Sequence, residues 1–225
     1  AQSLVVELGQ VSLLLAFLSA AYVVVASVLG VARRTPELVV SGRYGFYSVP
    51  ILLILATTAL VYAFVTNDFS VRYVAENSNL AMPGAYTWVA FYAGNAGSLL
   101  FLAVVFSLFA VAAVISIRKR LPFTAPYATG ILSMVLLFFL AIILFFANPL
   151  SQLQIVPQDG QGMNPLLVHF GMFIHPPLQM TGLVIVALPF SIALGALLAG
   201  KGRDDDWVDL GRAWGMVAWV ILTIG

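Results

Sequence analysis

Only two histidines occur in the 225 residues, and both lie in one stretch, NPLLVHFGMFIHPPLQ, from Asn164 to Gln179. Cysteine is absent, which removes disulfides, thiolate ligands and cysteine nucleophiles and leaves histidine, methionine and carboxylates as the available metal ligands. A neutral imidazole is the strongest of these candidates. Pro176 and Pro177 follow His175 directly. Proline disfavours the helical region for the residue before it and suits the first turn of a helix, where its missing N–H is not needed. His175 is therefore expected in an extended or turn conformation just outside a helix start, where its ring can serve as a ligand. His169 precedes it by a spacing that puts it on a different face of any helix containing both, so the two are not paired as joint ligands. The plain alternative is that each is an ordinary hydrogen-bonding residue of a loop.

A second polar constellation stands in DFSVRYVAENSN. Asp68, Arg72 and Glu76 recur every four residues, and Asn77 and Asn79 follow. On a helix the three charged residues share a face and pair as a ladder. Two readings stay open: an amphipathic surface helix held by that ladder, or a polar shelf that positions a partner or the acid groups of a cofactor. Gly94 and Gly97 in AGNAGSLL read as sites of close helix contact.

These groups must be positioned by membrane helices. Hydrophobic residues make up 62% of the chain and charged residues 8%, with a mean hydropathy of +1.04. Soluble domains carry roughly 25% charged residues. Several runs approach the ~20 apolar residues that cross a bilayer as a helix, and the alternating segments of a membrane barrel are missing. The expected fold is an all-α polytopic transmembrane bundle in a single membrane domain, 1–225. Five full spans are expected: Val11–Ala32, Phe46–Thr66 with Pro50 near its start, Leu99–Ile117, Tyr127–Phe146, and Pro177–Ala199 bent by Pro189. A last run from Trp214 to Gly225 reads as an incomplete sixth. The first run lacks a basic leader and a cleavage site and reads as a retained helix.

Nine of the ten basic residues fall in loops 33–45, 118–126 and 200–213, and Arg72 is the exception. The positive-inside rule makes those loops cytoplasmic and places the amino terminus and segments 67–98 and 148–176 outside, where the last two are able to build one site. The run DDDWVD reads as a solvated cytoplasmic turn. Dispersed basic residues exclude nucleic acid as a partner. Phosphate-binding glycine loops, zinc-binding histidine pairs and nucleophile elbows are missing. Spans without ionisable residues argue against a pump, an ion channel or a transporter.

NDFSVRYVAENSN with AMPGAYTW, then NPLLVHFGMFIHPPL, then GRAWGMVAWVILTIG closely resemble, in order and spacing, three segments of the CcmF family of cytochrome c-type biogenesis proteins, the membrane component of haem lyase. The resemblance runs nearly the whole chain and implies the N-terminal portion of such a protein. It implies that haem b is received from a periplasmic, CcmE-like haem chaperone and joined to the cysteines of an apocytochrome c CXXCH motif. Partners would be the apocytochrome with its chaperone and thiol-reducing factors, and a C-terminal remainder or second chain, all at the outer face of a bacterial inner (plasma) membrane. His175 matches the family's periplasmic axial haem ligand. Arg72, Asn77 and Asn79 would support the haem cavity, with Arg72 able to meet a propionate.

The chain departs from the family where AGNAGSLL replaces Trp-Gly-(His or Gln)-Glu-Gly-Ser-Leu-Leu, so Ala96 stands in the glutamate's place. It also departs after HPP, where Gln179, Met180 and Thr181 follow Leu178. These changes motivate the alternative of a structural subunit derived from the family that scaffolds another membrane complex without haem chemistry.

Overall fold

The computed structural model describes residues 2–203 and 206–225, with side chains from residue 4 onward. It contains α1 (Gln2–Ala32), α2 (Pro36–Val65), the short α3 (Arg72–Asn77) and α4 (Tyr86–Ala93), α5 (Asn95–Arg120), α6 (Ala125–Phe145), α7 (His175–Ile185), α8 (Ala187–Leu198) and α9 (Asp206–Ile224). Two 3-10 turns, Pro165–Leu167 and Phe170–Phe173, precede α7. Six segments are long and apolar enough to cross a membrane: α1, α2, α5, α6, the 170–198 segment and α9. The protein is a multi-pass helical membrane protein. In lipid every backbone polar group must be satisfied internally, and helices do this within each segment.

The helices alternate in direction. One end of the bundle gathers the start of α1, the α2–α5 connection, the connection from α6 to α7, and the end of α9. The opposite end carries Arg33, Arg34, Arg118, Lys119, Arg120, Lys201 and Arg203. Helix α5 packs against α2, α6, α7 and α9, and α1 lies between α2 and α6. Phe46, Leu53, Phe106, Leu132 and Leu136 are fully buried at these contacts.

Several expected boundaries move. Helix α1 begins far ahead of Val11. Helix α2 begins at Pro36 with that proline in its first turn, so loop 33–45 shrinks to three residues, Arg43 is helical, and Pro50 is interior to the helix. The sixth run is longer than Trp214–Gly225: α9 starts at Asp206, takes in the charged turns around Asp209 and Arg212 from the expected loop 200–213, and is long and apolar enough to cross a membrane. Trp214 ties α9 to α5 through Nε1–H to Ser116 Oγ at 3.2 Å and an edge-on contact with Phe109. Asp206 and Asp209 of the acidic run are thus helical, and Asp204 and Asp205 lie outside the described residues.

The fifth span breaks at Val186, between α7 and α8. Pro189 has no N–H and its ring crowds the carbonyl four residues back, that of Ile185, which fixes where the break falls. Three helices end in one backbone pattern, with a left-handed residue just past the helix and two N–H groups returned to the last-turn carbonyls. The residue is Arg34 after α1, Asn67 after α2 and Gly200 after α8.

Candidate functional site

The turn at Asn67 decides what the charged shelf becomes. Asp68 N–H closes the end of α2 on Ala63 O at 2.8 Å, and the chain turns before α3 starts at Arg72. Asp68 is buried outside the helix, and its carboxylate accepts from Ser70 Oγ at 2.5 Å. The expected ladder of Asp68, Arg72 and Glu76 on one helix face therefore does not form, because a helix of six residues excludes Asp68. Arg72 and Glu76 are exposed, and the one ion pair among the described residues is Asp209–Arg212 at 3.7 Å.

Backbone pairing, not charge, fixes the shelf. Arg72 N–H donates to Ser151 O at 2.9 Å, and Leu153 N–H donates to Ser70 O at 2.8 Å, around a bridge between Val71 and Gln152. Gln161 N–H donates to Ala75 O at 2.7 Å, Gly162 N–H to Ser78 O at 3.1 Å, and Leu80 N–H to Asp159 Oδ1 at 2.9 Å. Leu150 is fully buried, and its carbonyl accepts from Gln10 Nε2 of α1 at 2.7 Å. The two connecting segments are thus one interlocked layer on this end of the bundle. Asn77 spends its Nδ2–H on Tyr73 O at 2.9 Å, and Asn79 lies against Gly162.

Tyr73 is the anchor that sequence reasoning missed. Its ring is buried edge-on to Phe64, and its hydroxyl accepts from Gly94 N–H at 2.9 Å while donating to Phe91 O at 3.0 Å. Burial pushes its pKa up to about 12, opposed by the Gly94 and Gly97 backbone and aided by Glu76. A Cβ on Gly97 would lie 1.7 Å from Phe91 O and 2.5 Å from the Tyr73 hydroxyl. The glycines of AGNAGSLL thus permit the close approach of α3, α4 and α5. No local sequence pattern signalled it, because Tyr73 and Gly94 are 21 positions apart.

Helix α4 carries this anchorage to the histidine segment. Tyr92 Oη–H donates to Met172 O at 2.7 Å, and Tyr86 packs on Phe173 with centroids 5.3 Å apart. Burial pushes the Tyr92 pKa up to about 12 as well.

The two histidines occupy opposite ring states. His169 Nδ1 accepts from Gly171 N–H at 3.0 Å, so its neutral ring holds the proton on Nε2. His175 Nδ1 faces the backbone oxygen of Gly225 at the end of α9. A carbonyl can only accept, so Nδ1 holds a proton, and in the neutral ring Nε2 then keeps the lone pair. His175 is the first residue of α7, not an extended residue outside it. The first turn closes through Leu178 N–H to Ile174 O at 3.3 Å, with Pro176 and Pro177 at positions that need no donor. Helix α9 reaches this point because Gly182 lets it approach α7, a Cβ there standing 2.8 Å from Leu222 N.

His175 is exposed, with its Nδ1 turned to the Gly225 carbonyl. The same segment exposes Leu166 and Phe170, 86% and 72% accessible, as an apolar surface. No cluster of three or more His, Asp or Glu ligands occurs among the described residues, so a multidentate metal centre is not formed by them.

The family described as Cytochrome C assembly protein matches residues 92–225. Cytochrome c-type biogenesis protein CcmF of Pseudomonas fluorescens is 35% identical over 223 residues, covering 97% of this chain and 33% of the relative. The CcmF of Escherichia coli K12 is 37% identical over 222 residues, covering 97% of this chain and 34% of the relative. A solved structure titled Cytochrome c Heme Lyase CcmF superposes with a TM-score of 0.84 at 25% identity, covering 97% of this chain and 34% of that one. The chain thus spans about a third of the length of these relatives. With its helical membrane fold, its interlocked loop layer and a match over more than half its residues, the chain belongs to the cytochrome c assembly protein family.

Proposed function

We propose that this chain is the haem-receiving portion of a CcmF-type haem lyase, with His175 Nε2 as axial ligand to haem b at the outer face of a bacterial inner membrane. The observation that carries the reading is the Nδ1–H of His175 held by the Gly225 carbonyl. Such a hydrogen bond fixes tautomer and ring orientation and raises the basicity of the ligating nitrogen. His169, with its proton on Nε2, is not assigned as a ligand.

The chain's own residues hold and shield the group. Leu166 and Phe170 would give the haem apolar contact, and Arg72 would supply a guanidinium for a propionate by a charge-assisted bond. Asn77 and Asn79 act indirectly by fixing the shelf that carries Arg72. Haem, when bound, supplies the group that is joined to the cysteines of an apocytochrome c. This chain contains no cysteine, so both thiols come from the apocytochrome, kept reduced by separate thiol-reducing factors. A periplasmic haem chaperone delivers the haem, and a C-terminal remainder or second chain covers the face that the exposed His175 leaves open.

The test is a visible absorption spectrum of the purified protein with its partners, oxidised and dithionite-reduced, after addition of holo-chaperone. His175→Ala weakens the b-type signal at this site, and His169→Ala leaves it. A structural scaffold without haem chemistry, the reading suggested by Ala96, gives flat spectra in every sample.

A further inference from the structure

At the basic end of the bundle, two spaces share a wall. A cavity of about 120 Å³ lies between α1, α2, α5 and α6 and is lined by Arg43, Arg118, Ser27 and Thr129. Beside it a groove of about 430 Å³ runs along α1 and α6, lined by Val24, Val28, Ile131 and Met134 and closed by Leu198 of α8. Ser27 and Pro126 line both.

Three observations point to a ligand. Arg43 and Arg118 are half-buried, come from different helices, and make no ion pair with any described carboxylate. Two such guanidiniums on one cavity repel unless an anion lies between them, and their planar donors match phosphate oxygens. Ser27 is 6% exposed, and its hydroxyl makes no hydrogen bond to any described residue. Other buried serines, Ser12, Ser107, Ser133 and Ser191, each donate to a backbone carbonyl. Ser27 instead lines both spaces, where its hydroxyl is open to a ligand. Finally, the groove wall is apolar and opens sideways, with Val28 and Met134 60% and 57% exposed.

We infer that this is a site for one anionic glycerophospholipid, with its phosphate between Arg43 and Arg118, accepting from Ser27 Oγ–H, and one acyl chain in the α1–α6 groove. The cavity holds the volume of about four waters at ~30 Å³ each, which suits a phosphate diester. Basic pockets between membrane helices are the usual form of such recognition. A free phosphate satisfies the arginines but leaves the groove unused, so the groove selects the lipid. The site lies at the far end of the bundle from His175, and its occupancy does not depend on the haem reading.

Native mass spectrometry of the detergent-purified protein, titrated with dioleoylphosphatidylglycerol, dioleoylphosphatidylcholine or inorganic phosphate, tests this. One phosphatidylglycerol adduct should saturate at a concentration at least tenfold below that for phosphatidylcholine, and millimolar phosphate should not displace it. The double variant Arg43→Gln, Arg118→Gln should lose this preference, whereas Arg33→Gln, Arg34→Gln, the same charge change outside the cavity, should keep it. Val28→Trp, which narrows the groove and leaves both arginines, should weaken the adduct several-fold. Equal retention of the two lipids, loss of the preference in the Arg33 and Arg34 variant, or displacement by phosphate overturns the assignment. An unchanged adduct in both the arginine double variant and Val28→Trp overturns it as well.

Discussion

The Nδ1 of His175 is held by the backbone carbonyl of Gly225, fifty positions along the chain, so the last turn of α9 sets the tautomer of the residue that opens α7. This relationship separates ligand from anchor. His175→Gly should lose haem binding and regain it with millimolar imidazole, because the site keeps its walls and lacks only the ring. His169→Gly should bind haem without imidazole. Titration of each variant, followed in the Soret band, reads both outcomes. Failure of imidazole to restore the His175→Gly signal would place the ligand elsewhere.

Tyr73 fastens the loop layer through one buried hydroxyl with partners on α4 and its junction with α5. Tyr73→Phe leaves the Gly94 N–H without its acceptor and should cost about 1–3 kcal/mol, the usual penalty for a stranded buried group. Gly97→Ala should be worse than Tyr73→Phe, since its methyl meets the Phe91 carbonyl at 1.7 Å, a backbone atom that cannot rotate away. Denaturant unfolding in detergent orders the two variants, and the reverse order contradicts this packing.

Alkali should loosen the same layer. The folded protein holds the Tyr73 proton up to about 12, whereas an unfolded chain releases it near 10. Between those values the folded state binds more protons, so stability is complete below pH 10 and is lost as pH rises toward 12. Two units correspond to at most about 3 kcal/mol, at ~1.4 kcal/mol each. Tyr92 shifts in the same direction and adds to the slope. Midpoints of thermal unfolding between pH 9 and 12 should fall, and fall less steeply in Tyr73→Phe.

Hydropathy made the membrane helices legible, and the order of motifs made the family legible, but element boundaries followed other physics. Pro36, Gly42 and Gly45 made the start of α2 look like a loop. In the fold the proline takes the first turn and the glycines face Ala26 and Tyr22 of α1. Asp206, Asp209 and Arg212 hid the start of α9 in the same way. Spacing of four promised a ladder from Asp68 to Glu76, yet the left-handed Asn67 ended α2 with a turn that left Asp68 outside the next helix. HPP made a helix start near His175 readable, but it pointed to an extended residue outside the helix, whereas His175 is the first residue of α7. The carbonyl partner of His175 and the Tyr73 anchor were not readable, because both contacts join residues far apart in sequence with no local pattern to announce them.

The dependence of His175 on α9 gives a substitution that acts without touching the histidine. Gly182 is buried where α7 and α9 cross, and a side chain there meets Leu222 at its backbone N, 2.8 Å away, and at its Cγ, 2.5 Å away. Gly182→Val must push the helices apart by about the width of a methyl group, because the backbone atom cannot swing aside. That displacement moves Gly225, which lies one helical turn beyond Leu222, and takes the acceptor away from Nδ1. Loss of such an outer hydrogen bond usually costs a metal ligand 10–100-fold in affinity. Gly182→Val should therefore weaken haem capture by roughly that factor while His175 is intact. Gly215→Val, on the same α9 but with no atom within 4 Å of its added Cβ, should leave capture unchanged. Equal affinities in the two variants would show that Gly225 does not orient the ring.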